Sequence, residues 1–367
     1  MRKKLAYIMA LLLMLLLAAC NQAVTDEAQL EDDDSGIPVE IIPEFPQDVV
    51  SRAGAVSFTQ ITEFYVSAYS GAVGKGKNVR YYLEGDVWKR AGLITWPTGT
   101  KTISFWGLSQ KFENANGLTD VKVTKALQSF RFTIDPENPR DISYASRLNV
   151  TKEQVGGQVV LTFMHALAYP YFTCAKGLAD ALVEIKEVKF HNLDLSAVLT
   201  YSTIYNSSAS WVLDKQNYGT FTQTFDDPVV LTNDGKAIPL TDAWQLLPQK
   251  PTKWATTAAN PVTIEQADAL HQCYVELKCK IVKEGGVYVW GHPKGMGEEY
   301  ESVYIPFGTA FTTQAYKKAI KLNFTGGYLA DGTPFVGRTD VVLAPWVTND
   351  ILIDPWEEMP EEDLEFK

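Results

Sequence analysis

The residues able to do chemistry are few and badly placed for it. The four histidines, His165, His191, His271 and His292, are scattered, with no His-Glu-x-x-His run and no His/Cys pair at zinc-ligand spacing. His165 lies inside an apolar run, which suits a hydrogen-bonded core or interface residue better than a catalytic one. No Gly-x-Ser-x-Gly stands in the chain, and Cys174, Cys273 and Cys279 lack the local signature of a nucleophile. Gly71–Lys77 is glycine-rich without the Lys-Ser/Thr end of a nucleotide loop, and reads as a hairpin tip. Asp226-Asp227 and Glu298-Glu299 are adjacent pairs. Neighbours on a strand point to opposite faces, so neither pair flanks one glycosidic bond, and both read as solvated loops. The nine tryptophans include candidates for sugar stacking, but they are spread over strand positions that suit a core. These residues call for no metal, no cofactor and no enzymatic activity.

The one strong chemical motif is at the start. Arg2-Lys3-Lys4, the apolar run Leu5–Ala19 and then Leu17-Ala18-Ala19-Cys20 form a charged, apolar and small-residue series typical of a secretory signal. The run is about 15 residues, short of the ~20 that span a bilayer. Leu-Ala-Ala-Cys matches a bacterial lipobox, which makes Cys20 the lipidated (palmitate-bearing) first residue of an exported lipoprotein. An ordinary signal peptide ending at a cysteine is the alternative. Beyond it, residues 21–51 are rich in Asp, Glu and Pro, a tether by composition. Within the tether, Val39, Ile41 and Phe45 make a short strand-like apolar face interrupted by Pro43.

The net charge of -11 has a definite location. Residues 1–19 carry three basic and no acidic residues, so the remainder carries -14. Residues 20–52 contribute -8 and residues 354–367 contribute -6, leaving 53–353 neutral. A neutral body without a basic stripe excludes nucleic acid as a partner. Besides Cys20 there are three cysteines, an odd number that makes no disulfide framework. Cys273 and Cys279 would lie ~20 Å apart on one strand and cannot pair with each other. Small buried side chains are one reading of the three, and a long-range bridge from Cys174 to one of the others is the second.

From Ser57 onward the pattern is β. Phe64–Tyr69, Val79–Leu83, Ile103–Trp106 and Phe130–Ile134 are short, aromatic and β-branched, separated by Gly, Asn, Asp and Pro clusters. Gln158–Leu167 is apolar on both faces and is expected as a central strand. Thr263–His271 and Thr312–Lys318 invite short helices. The chain reads as all-β, with two tandem antiparallel β-sandwich domains: a signal peptide over 1–19, a lipidated acidic tether over 20–52, an N-terminal sandwich over 53–175 and a C-terminal sandwich with an acidic tail over 176–367.

Several stretches, in order, resemble the fimbrillin-like subunits of Bacteroidales type V pili. They are Ser51-Arg52-Ala53, Phe64–Tyr69, Trp88, Thr95-Trp96-Pro97, Ile103–Trp106, Asp141–Ala145, Val160–Ala168, Trp244–Gln249, and Trp346 with Trp356. Tyr169-Pro170 departs from that pattern and is expected to end the strand early or bulge it. The acidic tail Glu357–Lys367 departs as well.

The resemblance implies transthyretin-like sandwiches and a subunit exported as a lipoprotein to the outer membrane, then displayed at the cell surface in a fimbrium. It implies cleavage by an Arg-specific protease, carried over to Arg52, and removal of the strand holding Val39, Ile41 and Phe45. The groove left behind would be filled by the C-terminal strand of another subunit, for which Val341, Leu343, Ile351 and Ile353 are the candidates. Implied partners are other fimbrial subunits, the protease, the outer membrane through the lipid and a host or bacterial surface receptor. The competing reading is a permanently anchored lipoprotein that binds glycans through a sandwich.

Overall fold

The computed structural model describes residues 34–45, 61–124, 127–176, 178, 181–202, 210–231, 236–283, 285–314, 317–324 and 326–335. Cys20, Arg52 and Val341, Leu343, Ile351 and Ile353 lie outside them, as do Trp346 and Trp356. The described chain is all-β apart from one short helix.

The first half contributes β1 (Asp34–Pro38), β2 (Glu40–Glu44), β3 (Glu63–Ser70), β4 (Val73–Glu84), β5 (Val87–Ala91), β6 (Thr95–Pro97), β7 (Ile103–Leu108), β8 (Leu118–Val123), β9 (Leu127–Thr133), β10 (Ser143–Val150), β11 (Gln158–Thr162) and β12 (Met164–His165). Six of these form an antiparallel sheet in the order β12-β10-β7-β3-β4-β5. Central β7 is buried at all six of its positions, because both faces of the sheet are covered. On one face Phe64, Val66, Ala68 and Phe105 join a core with Val39, Ile41, Val159 and Leu161. On the other, Trp106, Leu108 and Tyr144 join a larger core with Phe130, Phe132 and Tyr201. The glycine-rich stretch has a structural role here. Gly71 takes a φ of +60° in the two-residue turn between β3 and β4, and a Cβ on Gly76 would lie 2.8 Å from Ile94 Cγ1.

The second half supplies β13 (Tyr169–Lys176), β14 (Ala181–Asp194), β15 (Ser196–Ser202), β16 (Ser210–Leu213), β17 (Tyr218–Leu231), β18 (Ile238–Pro239), α1 (Ile264–Ala269), β19 (Tyr274–Lys283), β20 (Val287–Trp290), β21 (Glu301–Pro306) and β22 (Lys317–Phe324). β14 lies between β17 and β19, and β19 also pairs with β20 and β21. Opposite them, β13 pairs with β18 and, in parallel, with β22. Phe172 of β13 and Phe190 of β14 meet at 3.8 Å between ring centroids, flanked by Trp244 and Phe307. β15 and β16 return to the first half: β15 pairs with β9, giving the sheet β16-β15-β9-β8. That sheet covers the second face of the six-stranded one. Tyr201 Oη donates to Gly107 O at 3.2 Å, and its ring lies edge-on to Trp106. Strand pairing therefore crosses the 175/176 position.

Several local expectations need correction, and one, the helix at Thr263, is met. Gln158–Leu167 is not one central strand. β11 ends at Thr162, and β12 joins the opposite sheet beside β10, with Ser143 facing His165. Val160 and Met164 are 37% and 36% exposed, so the apolar residues on the second face do not mark a buried one. Tyr169-Pro170 opens a strand, with Pro170 opposite Lys318. The expected helix at Thr263 forms, with a capping box between Thr263 and Gln266. The one at Thr312–Lys318 does not: 312–314 are non-helical and β22 starts at Lys317. Asp226 and Asp227 lie in β17 rather than in a loop, exposed, where Lys186 Nζ donates to Asp226 O. Glu298 and Glu299 are ion-paired with Lys278 and Lys280, each at 3.0 Å.

Two polar clusters inside the core are tied down by hydrogen bonds, around Asp141 and around Glu276. His165 Nδ1 lies 2.5 Å from Asp141 Oδ2 and 3.2 Å from Ser143 Oγ, and Tyr169 Oη donates to Asp141 Oδ1 at 2.5 Å. Asp141 thereby holds both ends of the crossover into β13, the structural role expected of His165. All three described cysteines are free and buried, and burial pushes the Cys174 thiol up to about 12, which leaves it inert. In the second half, burial pushes the Glu276 carboxyl up, but hydrogen bonds from His191 (2.9 Å) and Ser302 (2.6 Å) and the nearby cations outweigh it and hold it below its ordinary range. A carboxyl depressed by folding contributes stability above its unfolded pKa of about 4.3 and loses it as pH falls through the folded value. The urea midpoint is therefore expected to fall below about pH 4.3, and Glu276→Gln to flatten that slope while lowering the midpoint at pH 7. An unchanged slope in the variant would contradict this assignment.

Candidate functional site

The site is the seat of the leader, residues 34–45, against the six-stranded sheet. β1 runs antiparallel to β6, with Asp34 opposite Pro97 and Pro38 opposite Thr95, and Ser35 Oγ donates to Trp96 O at 2.8 Å. At Val39 the chain steps across: its N–H donates to Ile94 O, and its carbonyl accepts from Arg90 Nη1, both at 2.8 Å. β2 then runs parallel to β11, from Glu40 opposite Gln158 to Glu44 opposite Thr162. Phe163 N–H donates to Glu44 O at 2.7 Å and closes the ladder. Side chains support the same register. Gln158 Nε2 donates to Glu40 at 3.0 Å, and Thr162 Oγ1 to Glu44 at 2.8 Å.

Two features separate this seat from a loose tether. The first is burial. Val39 is 0% and Ile41 7% exposed, while Glu40, Ile42 and Glu44 between them face outward, the alternation of a half-buried strand. Phe45 closes the row, its ring 5.1 Å from Phe163, 5.5 Å from Trp88 and 6.1 Å from Phe64. Burying Val39 and Ile41 is worth about 3–6 kcal/mol, against about 5–15 for a whole domain. The second is dependency. Among the described residues β6 pairs with no strand but β1, and β11 with none but β2. Without the leader both would present open edges over an apolar floor.

Sequence reading finds the inward residues, Val39, Ile41 and Phe45, by their alternation. It misses β1, whose sequence Asp-Ser-Gly-Ile-Pro carries no strand signal, and it misses the parallel direction of β2. Arg90, Gln158 and Thr162 are polar residues whose roles emerge only when the leader is in place. The seven described tryptophans all pack against other rings or lie in the core, leaving no exposed aromatic platform for sugar among the described residues. Among those residues no group of three or more His, Cys, Asp or Glu is placed to hold a metal, and no helix is long and apolar enough to cross a membrane.

No family model and no curated protein sequence matches this chain. Solved structures similar to it include a fimbrial protein from Bacteroides vulgatus, at 11% identity over 78% of this chain and 95% of that one, with a TM-score of 0.47. A candidate cell adhesion protein from Bacteroides ovatus is 11% identical over 82% and 94%, with a TM-score of 0.42. The fimbrial anchor protein Mfa2 from Porphyromonas gingivalis is 9% identical over 82% and 95%, with a TM-score of 0.33. At such identities and scores the functional reading rests on the strand geometry of this chain.

The geometry makes a sharp prediction about parity along β2. Val39→Ala combined with Ile41→Ala is expected to destabilise the first sandwich by about 3–6 kcal/mol in urea unfolding followed by tryptophan fluorescence. Glu40→Ala is expected to cost no more than about 1 kcal/mol. Equal losses at inward and outward positions would show that the leader is not seated as described.

Proposed function

We propose that this chain is a structural subunit, or a tip or accessory component, of a surface fimbrium, exported as a lipoprotein and serving adhesion. In this reading Cys20 carries the lipid that holds the precursor at the outer membrane, and an Arg-specific protease cuts at Arg52. The leader is then a placeholder strand. Its removal opens β6 and β11, and the C-terminal strand of another subunit restores the pairing and polymerises the protein by strand addition. Other subunits are the main partners, with a receptor for the assembled fibre at a host or bacterial surface.

The observation that supports this reading is the seating of residues 34–45. A segment whose composition is that of a tether supplies the only strand partners of β6 and β11 among the described residues and places Val39 and Ile41 in the core. A permanent linker needs neither. The glycan-binding alternative draws no comparable support, since the described tryptophans are engaged in packing.

The test is assembly itself. Limited digestion with an Arg-specific protease is expected to convert the monomer into polymers and to release a fragment ending at Arg52. Arg52→Ala is expected to keep the leader attached and the chain monomeric by light scattering. Normal polymerisation of that variant would rule out this cleavage site, and digestion without polymers would rule out protease-triggered assembly.

A further inference from the structure

We infer that the segment taking the leader's place is Val341–Val347, in one register that puts Val341, Leu343, Pro345 and Val347 where Val39, Ile41, Pro43 and Phe45 sit. This inference rests on the strand-exchange reading above. The leader reads Val39-Glu40-Ile41-Ile42-Pro43-Glu44-Phe45, and the C-terminal segment reads Val341-Val342-Leu343-Ala344-Pro345-Trp346-Val347. Both have apolar residues at the first, third and seventh places and proline at the fifth.

Proline is what fixes the register. Glu44 O accepts from Phe163 N–H, so the even-numbered residues of the leader turn their backbone groups toward β11. Val39 turns its N–H to Ile94 and its carbonyl to Arg90, so the odd-numbered residues face the other way. Pro43 is odd, and the N–H it lacks is not one that the β11 ladder uses. Pro345 in the same place is equally harmless. A slip by one residue would set Pro345 where a donor to β11 is required and would turn Val341, Leu343 and Val347 out to solvent.

A second stretch, Ile351-Leu352-Ile353-Asp354-Pro355-Trp356-Glu357, repeats the first five places but ends in an acid. Its Glu357 would fall where Phe45 packs among Phe64, Trp88 and Phe163, an aromatic setting that penalises a carboxylate. The outward positions also favour the first stretch. Glu40, Ile42 and Glu44 would give way to Val342, Ala344 and Trp346, beside the exposed Val160 of β11. The exchange gives up the hydrogen bonds of Glu40 and Glu44 to Gln158 and Thr162 and adds apolar contact along the outer face of β11.

The experiment uses the full chain nicked at Arg52 with the leader still seated, challenged with labelled synthetic peptides 339–349 and 349–359. Binding is read by fluorescence anisotropy and leader release by mass spectrometry of the separated fractions. Peptide 339–349 is expected to bind and release the leader. Leu343→Asp should weaken it about 30-fold or more, Ala344→Asp by no more than about 3-fold, and moving the proline (Ala344→Pro with Pro345→Ala) should abolish binding. Peptide 349–359 should be at least about 10-fold weaker and recover with Glu357→Val. Equal effects of Leu343→Asp and Ala344→Asp, or tighter binding of 349–359, would overturn the register or the segment and leave strand exchange standing. If neither peptide releases the leader, strand exchange itself falls.

Discussion

The covered face of the six-stranded sheet depends on one pairing, the parallel ladder between β2 and β11, with Val39 and Ile41 pressed beneath it. That ladder connects chain segments more than a hundred residues apart, and it belongs to a stretch whose composition is otherwise that of a solvated linker. Its energetic logic is that of a lid over an apolar floor. Phe64, Val66, Ala68 and Phe105 present the floor, and the leader together with β6 and β11 covers it. Remove the leader and two short strands lose their pairing at once.

The consequence spreads through the fold by contiguity. β11 runs through Phe163 and β12 into Tyr169, where β13 begins, and Asp141 holds His165 of β12 and Tyr169 of β13 together. β13 is the strand that pairs in parallel with β22, the last described strand before the C-terminal segment. The strand that grips the leader and the strand beside the chain's far end are thus consecutive pieces of backbone. The six-stranded sheet is clamped from behind by Tyr201 and the β8-β9-β15-β16 sheet, so the groove has a rigid back wall.

Much of this was legible in the residues. Short aromatic and β-branched runs separated by turn formers give an all-β chain, and the alternation of Val39, Ile41 and Phe45 picks out the inward face of β2 before any coordinates. What escaped has a common cause, which is that period-two patterns tell which residues share a face but not what covers it. Val160 and Met164 look like a second buried face and are exposed. Asp34–Pro38 looks like linker and is a strand, because Thr95–Pro97 offers it a facing strand that no local signal announces. Asp226-Asp227 looks like a loop and lies at a register break in a long strand, a feature set by the facing strand rather than by its own sequence.

Residues 34–45 are a structural member of the fold, covering one face of the six-stranded sheet, and the proposed strand exchange requires that their place can be vacated. Amide hydrogen exchange on the full chain, before and after cleavage at Arg52 and release of the leader, tests it most directly. Peptides covering 94–97 and 158–163 are expected to be protected in the intact chain, to lose protection when the leader leaves and to regain it when another subunit's C-terminal segment is supplied. Unchanged exchange at 158–163 after the leader has gone would contradict it.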